Sequence, residues 1–168
     1  GFELMMAPYA IAHLKLDMTL QETSANDFNQ RLGVYLTNTL EEGIAEQTDL
    51  FSFGLAEVVS QEAHEAAKIK HERPIMVIVG NPPFLGSRKM RPELGDKYCA
   101  DLRKIYEKRL DGYPDLVCYW FEKSRKALIN GKVARVGLLA TQAIRGGTNR
   151  DILEKITKQG RIFMTWSD

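Results

Sequence analysis

The chain has 168 residues, with 23 Lys+Arg against 22 Asp+Glu, and apolar residues make up 44% of it. That balance suits one globular domain and excludes collagen, a disordered chain and a disulfide scaffold. No run approaches ~18 consecutive apolar residues, and Glu3 stands where a secretory leader would carry bases, so neither a membrane span nor a signal peptide is expected.

The near-neutral total hides a division. Residues 1–80 hold 5 Lys+Arg and 12 Asp+Glu, whereas residues 81–168 hold 18 and 10. Such a split suits a second half that faces a polyanion, although a solvated helical surface would give the same count. Cys99 and Cys118 have no CxxC spacing and no nearby His pair. They are expected to be buried reduced thiols of a cytoplasmic protein, with no metal site. His13, His64 and His71 show no ligand spacing, and Trp120 and Trp166 are expected in the core.

In chain order, Phe2-Glu3-Leu4 reads as the end of a strand. Ala7, Ala10, Ile11, Leu14 and Leu16 predict a buried helix over 7–16. Residues 21–30 are polar and read as a loop, 33–36 as a short strand, and 37–39 as a polar turn. A helix is predicted over 55–70, with Val58, Val59, Ala63, Ala66, Ala67 and Ile69 inward and Glu57, Glu62 and Glu65 outward. The apolar, β-branched run over 74–79 predicts a fully buried parallel strand. A helix over 95–110 places Tyr98, Leu102, Ile105 and Tyr106 inward and its bases outward. Another is predicted over 115–129, closed by Asn130-Gly131. A strand follows over 133–140. Thr148 and Asp151 have capping-box spacing before a helix that ends near Gly160, and 161–166 read as a last strand. Strands alternating with helices predict an α/β fold with a doubly wound, mostly parallel sheet. Ligands of such sheets bind at the carboxyl ends of strands, which directs attention to the turn after Val79.

That turn is Gly80-Asn81-Pro82-Pro83-Phe84. Two prolines remove two backbone donors and fix φ twice. A rigid loop that merely stops the strand would explain them. A second reading follows from the donors and acceptors. Free carbonyl oxygens, the Asn81 amide oxygen and the flat face of Phe84 suit a planar group bearing an amino function.

The stretch Val77 to Phe84 resembles the (D/N/S)-P-P-(Y/F/W) motif of amino-group methyltransferases, and its NPPF form is similar to the adenine-N6 DNA methyltransferases that use S-adenosylmethionine. Gly1-Phe2-Glu3-Leu4 before a helix resembles that family's second motif, Asn38 falls where its third motif has a polar residue, and Asp115 to Gly131 resembles the helix after the catalytic turn. Glu65 to Phe84 looks most like large bacterial enzymes that fuse restriction and modification in one polypeptide. The resemblance implies a Rossmann-like methyltransferase fold, incomplete in this chain. It implies that Glu3 binds the cofactor ribose and Asn38 the cofactor adenine. The target base would be flipped out of double-stranded DNA, its N6 hydrogens accepted by Asn81 and the Pro82 carbonyl, with Pro83 stiffening the turn and Phe84 stacking on the base. Arg88, Lys89 and Arg91, expected on a loop after the turn, suit phosphate contact. Lys97, Arg103, Lys104, Lys108 and Arg109 on the next helix read as solvated charges.

The family's Gly-rich cofactor turn has no counterpart here, nor does a target-recognition domain, a nuclease or an ATPase motif. Residues 1–168 are therefore expected to be the central part of one catalytic domain in a longer bacterial or archaeal enzyme, inactive in isolation. Cytosine-N4, RNA and protein glutamine methylation, and a non-catalytic DNA-binding role, remain open alternatives.

Overall fold

The computed structural model describes residues 1–23, 31–40, 55–72 and 75–166. The chain divides into two units, Gly1–Arg73 and Pro74–Asp168. The division coincides with the charge boundary, because residues 74–80 carry no charge.

In the first unit, β1 (Phe2–Glu3) runs parallel to β2 (Tyr35–Leu36), and the helices are α1 (Met6–Glu22) and α2 (Leu55–Glu72). Among the described residues, Val34, Leu36, Leu40 and Ala66 are its buried apolar side chains. The helix predicted over 7–16 is present but longer, and it is not buried: Ile11, Leu14 and Leu16 are exposed. Its apolar residues lie all round the helix rather than on one stripe, so packing against β1 and β2 covers only part of them. His13 makes the tie, with Nε2 at 3.3 Å from the Val34 carbonyl oxygen. On α2, Ala66 is buried and Glu65 exposed as expected, but Glu62 faces inward. One turn before Ala66, it shares that residue's face, and there Arg31 neutralises it and the Leu36 N–H donates to it at 3.4 Å. The side chains of Glu57, Val58 and Val59, and most of the predicted 21–30 loop, lie outside the described residues.

In the second unit, β3 (Val77–Gly80) runs parallel to β4 (Arg135–Leu138), with Ile78 opposite Val136. Between them come α3 (Ser87–Leu94), α4 (Asp96–Tyr106) and α5 (Leu116–Ile129), and after β4 two 3-10 turns and α6 (Arg150–Gln159). The core is built on α5, whose Leu116, Val117, Cys118 and Tyr119 are buried with Met90, Cys99, Leu102, Tyr106, Ile144 and Ile152. Tyr106 meets the Tyr119 ring edge-on, with centroids 5.2 Å apart. Gly131 closes α5 at φ +69°, the left-handed conformation expected of Asn130-Gly131.

Four expectations change here. β3 is not fully buried: Met76 and Val77 are exposed and Val79 is 78% exposed, because among the described residues β3 pairs with β4 alone. The helix over 95–110 is preceded by α3, and Gly95 at φ +85° separates the two; Ile105 faces solvent. Residues 161–166 form no strand, since among the described residues no neighbour offers them a ladder, and Trp166 is 85% exposed rather than in the core. Thr148 does not cap α6. It sits in the 3-10 turn Gly147–Asn149 and its hydroxyl donates to the Tyr113 carbonyl at 3.4 Å. The architecture is mixed α/β with small parallel sheets. Among the described residues, no helix is long and apolar enough to cross a membrane.

Candidate active site

β3 delivers the chain into residues 81–86, which form no regular element. Both ends of this loop are anchored. The Leu139 N–H donates to the Gly80 carbonyl at 3.1 Å, continuing the β3–β4 ladder. At the far end the Leu116 N–H donates to the Leu85 carbonyl at 2.9 Å, and the Ser87 N–H donates to Asp115 Oδ1 at 2.7 Å. Between the anchors Pro82 is buried, while Asn81 and Pro83 are exposed. Phe84 is 51% exposed, so about half of it is not committed to the core. The sequence thus places an amide and an aromatic face on a short, stiff loop at the carboxyl end of a parallel strand.

The bases that follow do not lie on a loop. Arg88, Lys89 and Arg91 all sit exposed on α3, and Arg91 has Asp96 at 3.7 Å. α3 was hard to see in the sequence because Met90 is its one buried residue and Pro92 lies inside it. Its first N–H groups need an acceptor, and the Asp115 carboxylate supplies one with a charge of the favourable sign. On α4, Lys97 and Lys104 point to solvent as expected, and Lys108, expected on the helix but in the turn after it, is exposed too. Arg103 and Arg109 do not behave as free solvated charges: each lies 4.2 Å from a ring centroid, of Tyr113 and Tyr106 respectively. A cleft of about 470 Å³ beside them, lined by Arg103, Lys104, Glu107, Asp111 and Tyr113, includes no residue of the 81–86 loop.

In the first unit, Glu3 and Asn38 are brought to the carboxyl ends of neighbouring parallel strands; Glu3 is in register with Leu36, two residues before Asn38. Glu3 Oε1 accepts the N–H groups of Leu4 and Met5 at 2.8 and 3.0 Å, at the entrance to α1. Asn38 Oδ1 accepts the Leu40 N–H at 3.0 Å, forming an Asx turn, and Lys70 Nζ donates to the Asn38 carbonyl at 2.8 Å. Among the described residues, no His, Cys, Asp and Glu cluster could hold a metal ion.

Asp115 and Asn149 were not singled out as functional from sequence. The available signal was the N-cap position of Asp115, but its side chain does not cap its own helix. Beside it, burial first and the Asp115 charge second push the Cys118 thiol up to about 12, so this cysteine stays protonated and inert.

One family model, described as MmeI, DNA-methyltransferase domain, matches residues 1–167. No curated protein and no solved structure matches the chain.

Proposed function

We propose the following chemistry from one premise: the chain belongs to the MmeI DNA-methyltransferase domain family and is a DNA-methylating domain of the restriction–modification kind. Its target is the N6 amino group of an adenine flipped out of the duplex, and its methyl donor is S-adenosylmethionine. The observation that carries this reading is the Asn81-Pro82-Pro83-Phe84 turn, which exposes Asn81, Pro83 and Phe84, is anchored at both ends and is set at the carboxyl end of β3.

An exocyclic aromatic amine is a weak nucleophile because its lone pair is delocalised into the ring. The Asn81 amide oxygen and the Pro82 carbonyl would each accept one N6 hydrogen. Two acceptors on one side draw the nitrogen towards tetrahedral geometry and return the lone pair to it. Phe84 would stack on the flipped base and hold its plane, and Pro82 and Pro83 keep this constellation from relaxing. S-adenosylmethionine, when bound, supplies an electrophilic methyl group. Glu3 is suited to the cofactor's ribose: its Oε1 is committed to two amides at the end of β1, which fixes the carboxylate and leaves Oε2 to the sugar. Asn38, at the end of β2, would contact the cofactor's adenine. Arg88, Lys89 and Arg91 on α3 would meet phosphates as the turn meets the base.

The scaffold is read as a Rossmann-like, doubly wound sheet of which residues 1–168 are the central part. Apolar side chains left exposed along α1 and β3 support a larger body around them. The setting is the cytoplasm of a bacterial or archaeal cell, with double-stranded DNA as partner. The test is transfer of tritiated methyl groups from S-adenosylmethionine by the full-length protein, followed by separation of the labelled nucleosides. Label in N6-methyladenine is expected. Label in N4-methylcytosine, RNA or protein, or no transfer, would overturn the reading.

A further inference from the structure

Ser87, the first residue of α3, is held by a side chain 28 positions away, and that side chain is itself held by another 34 positions further on. Asp115 Oδ1 accepts the Ser87 N–H, and Asp115 Oδ2 accepts Asn149 Nδ2–H at 2.7 Å. Asn149 Oδ1 accepts the Asp115 backbone N–H at 2.8 Å and the Cys118 thiol at 3.4 Å. Asn149 Nδ2 also donates to the Ala143 carbonyl at 3.1 Å. Asn149 is 7% exposed, and these bonds use both amide hydrogens and both carbonyl lone pairs. A buried amide that is fully used in this way has one orientation.

We propose that Asn149, acting through Asp115, is a positioning residue for methyl transfer: it fixes the carboxylate that anchors Ser87 and so sets the place of Phe84, three residues earlier. The inference rests on reading residues 81–84 as the turn that holds the target base. The terminal torsion of an aspartate is broad, so the carboxylate alone would not be held to one angle. The Asn149 bonds hold it. The loop has little slack to absorb an error at Ser87, because Gly80 is fixed in the ladder and two prolines fix φ between the ends. Displacement of the anchor therefore passes to Phe84 and Asn81. Misplacement of a reacting group by about 1 Å can cost 100-fold in rate.

The experiment uses the full-length protein, with Asn149→Ala, Asp115→Asn, and the exchanged pair Asp115→Asn with Asn149→Asp. Asp115→Asn alone keeps an acceptor for Ser87 but sets an N–H against the Asn149 amide. The exchanged pair restores a donor facing an acceptor. For each folded variant, turnover of labelled methyl groups and hydrogen exchange at the Ser87 amide are measured. The expected result is a 10- to 100-fold loss of kcat in both single variants, with KM for DNA close to wild type. Exchange at Ser87 should quicken about fivefold, as loss of one hydrogen bond implies, while amides inside α5 are unchanged. The exchanged pair should recover part of the lost kcat. Wild-type kcat per folded molecule, or unchanged Ser87 exchange, in the single variants would overturn the proposal alone. No methyl transfer to DNA by the unaltered protein would overturn the reading of the turn and this inference with it. Should Asn149→Ala not fold, Asp115→Asn and the exchanged pair make the same comparison.

Discussion

Glu122 is fully buried and lies in the fork of Arg125, one turn along α5: Nε donates to Oε2 at 2.6 Å and Nη2 to Oε1 at 2.7 Å. Arg125 Nη1 also donates to Gln159 at the end of α6, so the pair ties two helices together. Hydrogen bonding to Glu122 raises the guanidinium pKa above its ordinary value, and Arg125 stays charged wherever the protein is folded. Arg125→Ala would leave a buried carboxylate without its partner. The expected loss is about 3–5 kcal/mol by denaturant unfolding, and Arg125→Ala combined with Glu122→Met should lose far less. A single-variant loss of under about 1 kcal/mol, as exposed pairs give, would show that the fork does not hold the core.

Asn81 is exposed on its loop, so its proposed role can be tested with little effect on stability. In that proposal Asn81→Ala removes one acceptor from the target amine. Turnover should fall about 100-fold or more, as when a hydrogen bond made in the transition state is lost. Affinity for S-adenosylmethionine, read by calorimetry, should stay near wild type. Undiminished turnover would exclude the acceptor role.

Phe84, with half its surface exposed, separates stacking from packing. A buried phenylalanine costs about 3–5 kcal/mol when cut to alanine. At 51% exposure the stability loss should be well below that. The loss should instead appear in DNA binding or turnover, at about 1–3 kcal/mol for one stacked base. Phe84→Trp should keep much of the activity and Phe84→Leu should not, since leucine is apolar but not planar. A large fall in melting temperature with unchanged activity in the remaining folded molecules would refute stacking.

The Cys118 thiol supplies a pH signature. Its folded pKa lies above the unfolded one, so the folded state keeps a proton that the unfolded chain gives up. Its contribution is fully present below the ordinary thiol value of 9.0 and is lost as pH rises from there towards about 12. Burial also pushes the Tyr119 phenol up, with the same sign at higher pH. Stability measured from pH 8 upward should therefore fall more steeply in the wild type than in Cys118→Ala. Cys118 should resist iodoacetamide until the protein is unfolded. Parallel pH curves, or rapid labelling of the folded protein, would contradict its burial.

What the sequence determined by itself was local. The extent of α5 and the left-handed Gly131 that closes it are properties of consecutive residues, and both could be read before any packing was known. The β-branched run ending in Asn81-Pro82-Pro83-Phe84 marked the strand and the turn for the same reason. Tertiary structure decided whatever depends on a distant partner. An apolar run is a buried strand only if neighbours cover it, so β3 and residues 161–166 departed from expectation in opposite ways: one is a strand left exposed, the other is no strand at all. Glu62 looked like a solvent-facing residue until Arg31, 31 positions earlier, neutralised it on the inner face of α2. Asp115 and Asn149 are unremarkable in the chain because a hydrogen bond across 34 residues leaves no periodic trace. Only folding brings the two together, and only there does their joint hold on the end of the Asn81–Phe84 loop come into being.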